Sequence, residues 1–140
     1  MGAPISIRRA GCYIAGGTAQ EPVGLSRLNR EIRIPAGSGL LEPGTVLGER
    51  ADGMFVPLDP YATDGAQIAA AILFARADAT REDARAVATD GGPVRVRAAE
   101  LIMPPTITVE QLASAAAALD RRGIELIGAL QPGAAPAVSA

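Results

Sequence analysis

A chain of 140 residues is long enough for one domain that buries roughly two thirds of its unfolded surface, and with two Phe, two Tyr and no Trp its interior must be aliphatic. The 16 Gly and 11 Pro favour short strands and turns over a helical bundle. A formal net charge of -2 argues against a general nucleic-acid binder, the single cysteine, Cys12, excludes an internal disulfide, and the absence of His excludes a zinc site of the Cys/His kind.

Charge is spread unevenly. Residues 1–33 carry five Arg against two Glu, whereas residues 34–140 carry eight Arg against thirteen acids, so a basic head precedes an acidic body. All thirteen basic residues are Arg, which suits bidentate contact with carboxylates; codon bias in a GC-rich genome explains the same composition. The opening "MGAPISIRRAGCYIAGG" has neither the apolar core of a signal peptide nor a run long enough to span a bilayer, so no membrane association is expected. Gly2 and Ser6 match the N-myristoylation pattern, which has meaning only in a host with the transferase.

In chain order, residues 1–30 read as a flexible arm, because "AGGTAQEPVG" is small, polar and broken by Gly and Pro. The domain follows over residues 31–127. "REIRIPAGSGLL" alternates charged and apolar side chains through Glu31, Ile32, Arg33 and Ile34 before Pro35 and Gly37 stop it, the period of a half-buried strand. "GTVLGERADGMFVPLD" predicts two short strands, around 45–49 and 54–58, joined by a hairpin turn at Asp52-Gly53. "AQIAAAILFARADATREDAR" is ambiguous: its Ala content favours a helix after Asp64, and the crowded Ile72, Leu73 and Phe74 suit a buried strand. In "VATDGGPVRVRAAEL" the same turn device recurs at Asp90-Gly91-Gly92, after which Val94 and Val96 face one way and Arg95 and Arg97 the other. "TVEQLASAAAALDRRG" predicts a packing helix. Thr108 and Gln111 form a capping-box pattern, Ile107 and Leu112 a hydrophobic staple, Leu112, Ala115, Ala116 and Leu119 an apolar stripe, and Gly123 a left-handed stop. "IELI" is expected as the last strand, and residues 128–140 read as a low-complexity tail.

Catalytic chemistry finds little to work with. Asp59 and Asp64 resemble a carboxylate pair, but each lies in turn sequence, Asp59-Pro60 and Thr63-Asp64-Gly65, where Asp is favoured for bonding nearby amides. With neither His nor Lys, a Ser or Cys nucleophile has no ordinary base. "PAGSGLL" faintly resembles the phosphate-binding motif of trimeric dUTP pyrophosphatases, without the basic residue before Ser, and keeps open a nucleotide-processing enzyme on a trimeric β scaffold. A generic β adaptor is the third possibility.

Residues 44–75, "GTVLGERADGMFVPLDPYATDGAQIAAAILFA", followed by "DGGPVRVRAAEL", the short helix and "RRGIEL" in the same order, resemble the head decoration proteins of lambda-like tailed bacteriophages. The resemblance implies a mainly β domain with one short α-helix, a small β-clip or barrel-like body of short antiparallel strands, and a strand at Ala66–Ala75. It implies a homotrimer on the outside of the expanded icosahedral head that binds the major capsid protein and braces the lattice, without catalysis, cofactor, metal or nucleic-acid partner. The expected location is the capsid exterior, with host cytoplasm during assembly. It further implies an arm that orders by pairing with capsid-protein strands. "REIRI" has the alternation such pairing needs: Ile32 and Ile34 would face the partner's apolar surface while Arg33, with the flanking Arg27 and Arg30, would meet its carboxylates. The alternative is that Ile32–Ile34 is already a strand of the domain and only the segment before Arg30 is free.

Overall fold

The computed structural model describes residues 10–16 and 29–133. In chain order these form β1 (Ile14–Gly16), β2 (Asn29–Ile34), β3 (Gly39–Leu41), β4 (Val46–Glu49), β5 (Phe55–Pro57), β6 (Ala69–Leu73), β7 (Ala77–Ala79), β8 (Ala84–Thr89), β9 (Val94–Arg97), a 3-10 turn (Ala98–Glu100), helix α1 (Val109–Arg121) and β10 (Ile124–Ile127). The fold is mainly β with one helix, and nearly all strand pairs are antiparallel.

The Asp52-Gly53 signal makes its hairpin. β4 and β5 pair antiparallel with Leu47 opposite Pro57 and Glu49 opposite Phe55. The turn closes because Gly53, at φ +85°, takes a left-handed backbone that side-chained residues avoid, while the Asp52 carboxylate accepts the Met54 amide at 3.0 Å. Adding β6, β8 and β2 to this hairpin gives a five-stranded antiparallel sheet in the order β2-β8-β6-β4-β5. The sheet is rolled until its two edges pack together, with the Arg30 guanidinium of β2 lying 5.2 Å from the centre of the Phe55 ring of β5. Inside the roll Ile32, Ile34, Leu47, Phe55, Ala71 and Leu73 form one core.

A second core lies on the outer side of the same sheet. Val46, Ala69 and Ile72 face it from β4 and β6, and it is closed by α1 and by a three-stranded sheet in the order β1-β9-β10. β9 pairs antiparallel with β1 and parallel with β10. A parallel pair needs a long crossover, which the 3-10 turn and α1 supply. α1 is held as its sequence predicts. Thr108 Oγ1 accepts the Gln111 amide at 3.1 Å, Gln111 Oε1 accepts the Thr108 amide at 2.9 Å, and Gly123 ends the helix at φ +85°. Gly92 packs against that helix end so closely that a Cβ there would collide with the Gly123 carbonyl.

The ambiguous Ala-rich segment is strand β6, and all five of its residues are buried. An Ala helix gains at most about 0.7 kcal/mol per residue over less favourable residues, whereas fully burying Ile72 and Leu73 is worth about 1.5–3 kcal/mol each. A strand between two cores buries both faces at once, which is why its sequence shows no alternation.

Three expectations need correction. Residues 10–16, read as part of the arm, belong to the body: Tyr13 is fully buried, the Gly11 amide donates to the Phe74 carbonyl at 2.8 Å, and the Arg97 amide donates to the Tyr13 carbonyl at 2.7 Å. A three-residue strand is too short to show a period, and all its partners are distant in sequence. Asp90-Gly91-Gly92 turns the chain without making a hairpin, because β8 stays in the five-stranded sheet while β9 joins the three-stranded one. The tail also begins later than residue 128, since Leu130 is buried in the second core.

Candidate functional site

The turn aspartates are spent on backbone. Asp59 Oδ1 accepts the Tyr61 amide at 3.0 Å and Asp64 Oδ1 the Ala66 amide at 3.1 Å, the local bonds their turn positions predict. In the "PAGSG" loop the Ser38 hydroxyl donates to the Pro35 carbonyl at 2.8 Å and the Gly37 amide to the Ala79 carbonyl at 2.7 Å. Cys12 is half-buried, its Sγ 4.0 Å from the Pro43 carbonyl oxygen. Among the described residues no cluster of His, Cys, Asp or Glu could hold a metal ion, and no helix is long and apolar enough to cross a membrane.

The residues singled out for partner contact separate by strand geometry. Arg27 lies outside the described residues, as do Gly2 and Ser6. β2 pairs with β8 along its whole length, from Asn29 opposite Thr89 to Ile34 opposite Ala84, so its alternate side chains are already committed to two faces. Ile32 is 4% exposed and Ile34 fully buried, both inside the chain's own roll rather than presented to a partner. Their placement agrees with the alternative in which Ile32–Ile34 is a domain strand. Arg30, at the mouth of the roll, lies over Phe55 with its Nε 3.2 Å from Asp90 Oδ2 and its Nη2 3.9 Å from Glu49 Oε2.

Arg33 points the other way, into solvent, and the β2–β8 register sets it directly opposite the exposed Arg85. Like charges in direct cross-strand apposition repel, and among the described residues neither guanidinium meets a carboxylate. Arg30, Arg33 and Arg85 line one cleft with Glu31, Asp52 and Phe55. Asp52 offers little to that cleft: the Arg50 guanidinium bonds it and holds its carboxyl below the usual range, and the Met54 amide adds to the effect. Beside the arginines, Val87 stands 38% exposed opposite Glu31. Sequence reasoning missed Arg85. Its alternation with Ala84 and Ala86 marks an outward residue, but only the register brings it to Arg33.

No curated protein matches the chain. The family model described as "Bacteriophage lambda head decoration protein D" matches residues 24–124. That stretch runs without a break from the approach to β2, through the rolled sheet and α1, to the first residue of β10. Well over half of the chain is thus covered, and the chain belongs to the bacteriophage lambda head decoration protein D family.

Proposed function

We propose that this protein binds the outside of an expanded phage head as a homotrimer and braces the capsid lattice as a structural component. The family match over residues 24–124 carries this reading. Two features support it. The three- and five-stranded sheets end in β1 and β10 and in β2 and β5, whose outer edges pair with no further strand among the described residues, and Tyr61, Ile68, Val109 and Ile127 remain exposed on the single chain. A closed ring of three copies covers edges and apolar side chains without leaving a surface open to further growth.

The segment before Arg30, which includes Arg27, makes the capsid contact together with Arg30, Arg33 and Arg85 in this reading. Ile32 and Ile34 support it indirectly, by fixing β2 so that Arg33 stays outward. Carboxylates of the major capsid protein would relieve the Arg33–Arg85 repulsion, so part of the cost of apposing the two charges in the free protein returns on binding. Arg suits this role because its planar fork grips a carboxylate with two donors.

Co-sedimentation with expanded and unexpanded heads, paired with light scattering, tests both levels. Wild type is expected to pellet with expanded heads and to scatter as three chains. The double variant Arg33→Ala/Arg85→Ala is expected to keep the trimer and lose about tenfold in head affinity, equivalent to roughly 1.4 kcal/mol, with a shallower salt dependence. Wild type that ignores expanded heads would overturn the function. Undiminished binding by the double variant would move the contact elsewhere on the body.

A further inference from the structure

The family match begins at residue 24, so residues 10–16 lie before it, whereas the strands that receive them lie within it. Each wall of the receiving site is held by elements other than β1. β9 is paired along its length with β10, from Val94 opposite Ile124 to Arg97 opposite Ile127. Ile72 and Thr89 pair with each other across β6 and β8, and the Phe74 amide donates to the Val87 carbonyl at 2.8 Å. What β1 adds is cover for the remaining edge of β9, which without it is an open row of backbone donors and acceptors.

The segment lies in this site as a ligand lies in a cleft. The Arg97 amide donates to the Tyr13 carbonyl at 2.7 Å and the Arg97 guanidinium to the Ile14 carbonyl at 3.1 Å, so one residue of β9 grips two successive carbonyls. The Tyr13 ring passes fully buried into the second core, where its hydroxyl reaches the Ile72 carbonyl at 3.2 Å and Thr89 Oγ1 at 2.6 Å. A phenol suits that floor, because its ring fills volume while its hydroxyl partners polar groups that burial has cut off from water. Two residues earlier, the Gly11 amide donates to the Phe74 carbonyl at 2.8 Å, and a Cβ on Gly11, at φ +67°, would collide with the Phe74 ring. The site therefore reads a glycine at one end and a tyrosine two residues on.

We propose that the β9 edge and the pocket behind it form a strand-accepting site, that residues 10–16 are its resident occupant, and that the site takes in trans an extended peptide with the same Gly-x-Tyr order. Strand addition supplies the backbone hydrogen bonds of such a site, and the pocket supplies its preference for tyrosine. The inference concerns the single chain and is independent of head binding.

Severing the folded full-length chain tests it. A protease recognition sequence inserted between Gln20 and Glu21 allows the head to be cut from the body, after which a fluorescently labelled peptide of residues 9–17 is added in excess. The severed body is expected to stay folded and to bind the labelled peptide in exchange for its own head, and the Tyr13→Phe peptide to bind about tenfold more weakly. In the uncut chain, Gly11→Ala should raise amide exchange at Arg97 several-fold while the β2–β8 ladder keeps its protection. A body that unfolds on severing, a labelled peptide that does not bind, or a Tyr13→Phe peptide that binds as well as the parent would each overturn the proposal. So would exchange of heads between uncut copies at rest, detected as energy transfer between differently labelled chains, which makes a second copy the occupant.

Discussion

The two faces of β6 meet cores of different origin. Ala70, Ala71 and Leu73 face a roll assembled from residues 32–88, whose elements are alternating strands and a tight hairpin. Ala69 and Ile72 face a core gathered from residues 13–130, in which Tyr13, Leu119 and Ile124 come from opposite ends of the chain. The roll is lined with apolar side chains, whereas the second core carries a hydroxyl chain: Tyr13 donates to the Ile72 carbonyl at 3.2 Å and lies 2.6 Å from Thr89 Oγ1, and Thr89 donates to Asn29 Oδ1 at 2.6 Å. A nonpolar core asks only for volume, and a polar network asks for position as well. The second core therefore has more ways to fail, and it is the one that ties the head and end of the domain together.

Cavities test this division most severely. Leu47→Ala in the roll and Leu119→Ala in the second core each remove a fully buried side chain and should cost about 2–5 kcal/mol. Hydrogen exchange separates them. Leu119→Ala should loosen the amides of β1, β9 and β10 while the β2–β8 ladder keeps its protection, whereas Leu47→Ala, on the shared strand β4, should loosen both. Equal loosening everywhere by Leu119→Ala would show that the two cores open as one unit.

Tyr13→Phe sharpens the comparison by removing one hydroxyl and leaving the Thr89 oxygen and Ile72 carbonyl buried with a partner lost; denaturant titration should show a loss of about 1–3 kcal/mol. Burial also pushes the Tyr13 hydroxyl above the ordinary tyrosine range, so the fold favours the neutral phenol. With the folded value above the unfolded one, this stabilisation is complete below pH about 10 and is lost as pH rises past the unfolded value toward the folded one. Wild type should therefore lose stability above pH about 10 more steeply than Tyr13→Phe; parallel profiles would remove Tyr13 as the cause.

The smallest effect is expected at the helix cap. Thr108→Ala deletes half of the capping box and should cost about 1 kcal/mol by thermal melting. Its influence should be confined to α1 and the core beneath it, with the roll unaffected.

What could be read directly from the sequence was local. The Asp52-Gly53 turn, the Glu31–Ile34 alternation, the Thr108–Gln111 cap, the Gly123 stop and the turn roles of Asp59 and Asp64 each depend on residues a few positions apart, and the structure contains all of them. The order of motifs also points to the family, because spacing along the chain survives folding unchanged.

The rest depended on pairings that no local pattern encodes. Val94 and Val96 declared a strand but not its sheet, and Arg33 and Arg85 each declared an outward position but not that they stand opposite one another. Tyr13 has only Ala15 at strand spacing and Ala10 at helix spacing, too little to mark it as core; its burial brings it to Thr89 and Ile72 across the sheet. No local pattern made β6 a strand, which the family resemblance implied and the structure contains, since its Ala residues suit either conformation until two cores close on it. Local preferences are worth tenths of a kcal/mol per residue, whereas burying a large apolar side chain is worth about 1.5–3 kcal/mol, so where the two disagree the distant partners prevail.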